Sequence, residues 1–400
     1  MTRVVSVALP DAVGKELLEL MPRDSAAFVR GGQGLVGWGE AKRIEAVGPA
    51  RIAELSAKWK TFVDGLEVDD SVKLSGSGPV AFGTIAFDET SSVKSVLIMP
   101  KVVIGRRDER YWITTVDDFQ LPSNTAWAAP ETVSLRSGEL GRDAFVETVN
   151  RAVELIRSGS LEKVVLARDL VGTVSANFDL RPALGRLAKR FPTCWVYSVD
   201  GMFGASPELL VRVSHSQVSA RVLAGTAARG TDPNVDQAIS KALAESHKNV
   251  TEHEFAVASL VNALEPFCDH VDADSSPFSL ALPNLWHLAS DVHGVLKDSA
   301  SVLDLASALH PTAAVAGTPR RDAQELIREL EPFDRGRYAG PVGWIGADGD
   351  GEWVIALRGA QLDGQSITAY AGCGIVAESD GESELTETDL KFQPILGALA

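Results

Sequence analysis

Cysteine is scarce in this 400-residue chain: three occur, Cys194, Cys268 and Cys373, an odd number without metal-type spacing. That excludes a disulfide scaffold and a structural zinc site, and it fits a reducing, cytoplasmic compartment. Long apolar runs are missing as well. No stretch approaches a membrane span, and Met1–Pro10 has too short an apolar run for a signal peptide. Basic residues are outnumbered, 38 Lys and Arg against 54 Asp and Glu, for a formal net charge of −16. A field of that sign repels nucleic acid and anionic membranes, so neither is an expected partner. No internal repeat or low-complexity tract occurs. The run Gly32-Gln33-Gly34-Leu35-Val36-Gly37 has dinucleotide-type glycine spacing, but Trp38-Gly39-Glu40 follows where a helix should open. It reads as a Gly-rich strand pair.

What is present is mixed α and β. The length suits a large core and two or three domains. Ala26–Val29, Val80–Phe87 and Val93–Pro100 read as strands bounded by Gly, Ser and Pro. The stretch from Leu121 to Pro130 is the best linker candidate. After it, Phe145, Val149, Ala152, Val153 and Ile156 recur at helical spacing, with Gly159 as a stop. Lys163–Arg168 reads as a strand carrying Lys163, Val165 and Ala167 on one face. His253, Val257, Leu260, Val261 and Leu264 form a helical stripe that puts Glu252 at its N-terminal edge, where the helix dipole favours a carboxylate. Asp322–Glu331 is a further helix, and 340–344, Trp353–Leu357 and Ile367–Ala371 return to strand. Strands interspersed with helices make this an α+β chain.

Two acid clusters stand out. If residues 382–399 are helical, Glu384, Glu387 and Lys391 fall at i, i+3 and i+7 on one face. With Glu252 from another helix, the two glutamates make an oxygen donor set suited to Mg²⁺. An isolated Glu-x-x-Glu would more simply be a solvated surface. Other polar motifs surround the clusters, in order: Lys163-Val164-Val165-Leu166-Ala167-Arg168, Ser206-Pro207-Glu208, Ala224-Gly225-Thr226, Trp286-His287-Leu288, His310-Pro311-Thr312 through Gly317-Thr318-Pro319-Arg320, Arg335-Gly336-Arg337-Tyr338, Ala356-Leu357-Arg358 and Ala371-Gly372-Cys373-Gly374.

This ordered set, over roughly residues 140–397, closely resembles the chorismate-utilising enzymes, the family of isochorismate, salicylate, anthranilate and aminodeoxychorismate synthases. The resemblance implies a single large domain of two packed β-sheets flanked by helices, with the active site between the sheets. Residues 1–140 would contribute to the same fold and residues 141–400 would form the catalytic part.

The resemblance also implies roles. Lys163, on an otherwise apolar strand face, loses hydration, which makes a neutral amine accessible to act as a general base; on burial statistics alone it would instead snorkel to solvent. In isochorismate and salicylate synthases a lysine here activates water. The aminating relatives carry a small residue and use ammonia, so no glutaminase subunit is expected. Glu208, flanked by Leu209 and Leu210, is suited to stay protonated, and the family uses it to protonate the departing C4 hydroxyl; on its residues alone a surface turn reads equally well. Glu252 and Glu387 would hold Mg²⁺, with Glu384 direct or through water. Lys391 and the Gly372–Gly374 backbone would complete an anion pocket. Arg358 and Tyr338 would clamp the enolpyruvyl carboxylate, and Gly225 and Thr226 would contact the ring hydroxyl region. His287 would pack beside the ring, a satisfied core histidine being the other reading. The net charge should repel a dianion such as chorismate, so Lys163, Arg358, Lys391 and Mg²⁺ must reverse the sign locally.

Ala314 separates the nearest subfamilies. Salicylate synthases tend to carry threonine there, and alanine is the pattern of isochorismate synthases, although Tyr338 is shared with the lyases. Ala228, Asn249 and Cys373 depart from the family pattern. The expectation is a monomeric, cytoplasmic, Mg²⁺-dependent isochorismate synthase converting chorismate to isochorismate, for menaquinone, siderophore or salicylate formation. The alternatives are a salicylate synthase that also eliminates pyruvate, and a non-catalytic chorismate-binding relative.

Overall fold

A computed structural model describes residues 2–117, 126–282, 285–297 and 300–400, with all side chains within them except those of Asp11, Ala224, Thr226, Lys248 and Glu252. Leu121–Asn124, in the expected linker, lies outside the described residues; 126–130 is irregular. The glycine run near the N-terminus is a hairpin, Ala26–Arg30 against Gln33–Trp38. Its turn residues, Gly31 (φ 56°) and Gly32 (φ 76°), take the left-handed conformations that tight hairpins need and side chains resist. A strand, Lys42–Ala46, comes next rather than a helix, so the spacing served a turn and not a phosphate.

Two sheets pack face to face. Among the described residues the first runs from Lys163–Thr173 through Ser366–Ile375, Gly359–Asp363, Met202–Ser206 and Trp195–Val199 into the N-terminal strands. The second runs from Leu285–Leu296 through Gln217–Ala228, Leu209–Ser214, Gly351–Ile355 and Pro341–Gly346 to Val80–Thr84, Ser95–Met99 and Lys42–Ala46. Strands from before residue 140 hydrogen-bond to later ones in both, at Val196–Val29 and at Val342–Thr84. Separating the two parts would therefore expose two long sheet edges. Trp112, Trp195, Trp344, Phe82 and Tyr197 are fully buried between the layers, and Trp353 is buried on the opposite, helix-covered face of its strand. Each such ring removes on the order of 150–250 Å² from water. Room is made by glycine: a Cβ on Gly105 would lie 2.1 Å from the Trp112 ring.

Helices cover the outer faces. Arg142–Arg157 buries Phe145, Val149, Ala152, Val153 and Ile156, the stripe read from the sequence. At roughly 1.5–3 kcal/mol per buried apolar side chain, that stripe fixes the helix on the sheet. Arg320–Leu330 and the C-terminal Gly381–Leu399 form as expected. Other boundaries move for physical reasons. The strand expected to reach Phe87 ends at Thr84, and the next amides turn to Pro341 and Gly336 carbonyls. The strand expected over Trp353–Leu357 is Gly351–Ile355, because the backbone turns at Arg358 with φ 50°. Glu252 is not at a helix edge: the helix starts at His247, capped by Ser246, which puts Glu252 in the second turn. The dipole argument for Glu252 weakens accordingly, since that effect is confined to the first turn.

Candidate active site

One wall of the cleft between the sheets follows from a strand register. Lys163–Thr173 runs antiparallel to Ser366–Ile375 with Val165 opposite Gly374 and Ala167 opposite Gly372. The Val165 amide goes to the Ala316 carbonyl at 2.8 Å and the Ala167 amide to Glu331 at 2.7 Å. Those pairs are therefore the non-hydrogen-bonded positions, and both glycines turn their N–H and C=O away from the neighbouring strand. The Gly372 carbonyl accepts from Lys391 Nζ at 2.8 Å. Glycine also keeps this wall flat: a Cβ on Gly374 would stand 2.8 Å from Lys163 Cε, so Lys163 lies across the space a side chain would fill. By the two-residue period, Tyr370 shares the face of Gly372 and Gly374, and its ring stacks on Tyr338 at 5.0 Å and 16°.

The opposite wall belongs to the second sheet. Glu208 sits where the chain crosses from Met202–Ser206 in one sheet to Leu209–Ser214 in the other. Its N–H donates to Ser206 Oγ at 3.2 Å and its carbonyl accepts from Ile355 at 3.1 Å, so the crossing is held at both ends. Its side chain is 7% exposed. Burial pushes the Glu208 carboxyl up to about 7 against the opposing pull of Arg358, Lys391 and Lys163. Gly225 (φ 83°) forms a bulge where the ladder slips between Ala224–Leu288 and Thr226–His287. His287 hydrogen-bonds the Gly225 backbone, and burial, with Arg358 and Lys391 adding, holds it down to about 3. It is thus a neutral imidazole near pH 7. The Thr226 side chain lies outside the described ones.

Arg358, Tyr338 and Ala314 line the same cleft, and so does Arg335. Arg358 is buried and in the left-handed backbone region, a strained arrangement typical of functional positions. Arg335 was not assigned a role from the sequence. It donates to the Val165 carbonyl at 2.6 Å and the Val315 carbonyl at 2.9 Å and pairs with buried Glu331, tying the Lys163 strand to the Ala314 loop. Tyr370 was also missed, though its alternation with Gly372 and Gly374 would have revealed it. Lys163, Arg335, Arg358 and Lys391 converge on a cleft whose facing acids are Glu208 and Glu387. That local excess of positive groups overrides the overall charge of −16 and answers how a dianion could be received.

The acids divide. Glu387 faces the cleft, and Lys391 Nζ approaches its carboxylate at 2.6 Å. Burial raises the Glu387 pKa, but Lys391, Arg358 and Lys163 outweigh it, so the carboxylate lies below its ordinary value. Glu384 is not in the cleft wall. It accepts from Ser379 Oγ at 2.7 Å, and burial, with Glu387 adding repulsion, raises its pKa. The expected Glu384, Glu387 and Lys391 face of one helix thus exists, but only the last two reach the cleft. The Glu252 side chain lies outside the described ones. Glu387 and its partly buried neighbour Glu384 form a hard-oxygen pair whose mutual repulsion a cation would relieve, so the donor chemistry here fits a divalent ion such as Mg²⁺.

Comparison with known proteins matches residues 108–400 to the family described as Chorismate binding enzyme. A Mycobacterium tuberculosis protein provisionally named isochorismate synthase MenF is 40% identical over 342 residues, covering 81% of this chain and 87% of that protein. The Bacillus subtilis isochorismate synthase DhbC is 34% identical over 340 residues, 82% of each chain. The menaquinone-specific isochorismate synthase MenF of Escherichia coli shares the fold at a TM-score of 0.83 and 24% identity, over 100% of this chain and 94% of that one.

Proposed function

The chain belongs to the chorismate binding enzyme family, and on that premise we propose that it is an isochorismate synthase, converting chorismate to isochorismate. The observation that carries this reading is that Lys163, on a strand of the first sheet, and Glu208, at the crossing between the two sheets, line one cationic cleft. Lys163 takes a proton from water as its oxygen adds at C2. Glu208, still protonated near neutral pH, gives its proton to the C4 oxygen as that bond breaks. The ring double bonds shift one place to connect the two events, and one water enters as another leaves. Arg358, with Tyr338, holds the enolpyruvyl carboxylate by its planar fork. Lys391 offers charge to the ring carboxylate, Gly225 and Thr226 meet the ring hydroxyl region, and His287 gives a neutral surface beside the ring.

Glu387 and Glu252 would hold Mg²⁺, with Glu384 acting through water. The ion would neutralise charge accumulating at the ring carboxylate. The protein acts without a glutaminase subunit, because a base for water at Lys163 removes the need for an ammonia supply; it works as a monomer in the cytoplasm. Among the described residues no helix is long and apolar enough to cross a membrane, and the three cysteines are free.

Incubating the purified protein with chorismate and Mg²⁺ and resolving products by chromatography tests the reading. Isochorismate should dominate; stoichiometric salicylate and pyruvate would replace this function with the lyase one. Ala314, in the cleft wall, presents a methyl group where a hydroxyl would grip the substrate side chain. Ala314→Thr is expected to raise pyruvate release at the expense of net isochorismate, because small shifts of a reacting group can change rates about a hundredfold. Coupled pyruvate detection on both proteins measures it. For the metal, excess chelator should abolish turnover and added Mg²⁺ restore it, and Glu387→Gln should raise the Mg²⁺ concentration needed for half-maximal rate by roughly tenfold or more. Full activity in excess chelator would remove the ion from the scheme.

A further inference from the structure

Glu387 and Lys391 both stand on the C-terminal helix, Gly381–Leu399, so the acid and the cation at this end of the cleft move with it. The helix ladder is interrupted nearby, because Pro394, less than one turn after Lys391, has no N–H to give to the preceding turn. The strand that carries Lys163 supplies an outside hold. By the two-residue period Arg168 falls on the face opposite Lys163, Val165 and Ala167, and its side chain is 2% exposed. Its Nε donates to Thr388 Oγ1 at 2.7 Å and its Nη2 to Asp389 Oδ1, and its guanidinium carbon lies 4.8 Å from the centre of the Phe392 ring. Thr388 is fully buried, and its hydroxyl donates in turn to the Leu385 carbonyl at 2.7 Å.

These three partners interleave with the two cleft residues: Thr388 follows Glu387, Phe392 follows Lys391, and Asp389 lies between. At about 100° per residue, the helix face that Arg168 grips is the one beside the face that reaches the cleft. A side-chain tip about 6 Å from the axis moves roughly 1 Å when a helix turns by about 10°. That is enough to take Lys391 Nζ from 2.8 Å to beyond hydrogen-bond range of the Gly372 carbonyl. Resting on the isochorismate synthase reading, we infer that Arg168 is a positioning residue. From the outer face of the Lys163 strand it sets the rotation of the C-terminal helix, and through it the places of Glu387 and Lys391 at the ring-carboxylate end of the site. One strand thus carries the base and orients the binding end. Arg142 also donates to both Asp389 oxygens, at 2.8 and 2.9 Å, but that pair is largely exposed, where an ion pair adds little.

Thr388→Val keeps the shape and removes the oxygen that accepts from Arg168; Arg168→Met removes the whole grip. Both should raise KM for chorismate, and the Mg²⁺ concentration for half-maximal rate, by about tenfold. At saturating substrate and ion, kcat should stay within about threefold, because what is lost is binding common to ground and transition states. Calorimetry in the non-reacting Lys163→Ala background should show chorismate affinity falling in the same proportion. Thr388→Ser should recover native values, and Arg142→Ala should keep them. A merely structural role would lower the melting temperature and the active fraction without moving KM or the ion requirement. Native KM and ion requirement in Thr388→Val would overturn the inference, as would a loss confined to kcat, a failure of serine to rescue, or equal shifts in Arg142→Ala. If Arg168→Met does not fold, the Thr388 pair decides. An unmodified protein that makes no isochorismate brings down the functional reading and this inference with it. An active unmodified protein with unshifted variants removes only the role of Arg168.

Discussion

Glu208→Gln is expected to cost about 10²–10⁴ in kcat and, above pH 7, to make the folded protein more stable. Both effects come from one burial. The carboxyl is held up to about 7 from 4.5 by desolvation that Arg358, Lys391 and Lys163 only partly offset. The folded state therefore binds more protons than the unfolded one between those two values. Stability falls as pH rises through that window and stays reduced above it. At about 1.4 kcal/mol per unit, the loss is on the order of 3 kcal/mol. Glutamine has no proton to lose and escapes it. Thermal melts of both proteins at pH 5 and pH 8 should diverge at the higher pH and approach one another at the lower, and chromatography of chorismate reactions reads the activity. For the unmodified enzyme, the forward rate should decline as pH rises past about 7, as the acid ionises. Equal destabilisation of the variant at both pH values, or retained turnover, would sink the acid assignment.

Lys163→Ala should likewise remove about 10²–10⁴ of kcat while leaving chorismate binding largely intact, because a general base acts on the chemical step and the proposed binding groups are Arg358 and Lys391. Near-native turnover at saturating chorismate would end the assignment. Gly374→Ala gives an independent arm. Its Cβ would press to 2.8 Å from Lys163 Cε, and a flexible side chain can yield by shifting away. The fold should survive and kcat should fall by roughly ten- to a hundredfold through misplacement of the amine. If Gly374→Ala were as active as the unmodified protein, Lys163 would not need the position it holds.

Much of this was legible in the residues. The helical stripe from Phe145 to Ile156, the strand at Lys163, and the face shared by Glu384, Glu387 and Lys391 are periodic patterns, and period is set by local geometry that tertiary contacts rarely overturn. Motif order, with Lys163 and Glu208 among its members, pointed to the family that the comparisons then showed. Boundaries were less legible. Glu252 was read at a helix edge because the apolar stripe begins at His253, but the cap is Ser246, and a polar first turn gives no stripe to count from. Glu384 shares the helix face that the spacing gave it, but its distance from the cleft wall and its hydrogen bond from Ser379 could not be read from spacing. Arg335 escaped assignment because its role exists only once two strands and a loop meet, whereas Tyr370 was readable from its alternation with Gly372 and Gly374.

By itself the sequence determined the α+β class and most of the helices and strands, because composition, periodicity and residue type are local properties, and the family resemblance at Lys163 implied water in place of ammonia as the nucleophile. Only the tertiary structure decided that Lys163 on its strand and Glu208 at the crossing between the sheets line one cleft, that four cations gather in a chain of net charge −16, and that Glu208 keeps its proton near pH 7. Those are properties of distance and dielectric, and they arise only when segments more than a hundred residues apart shut water out between them.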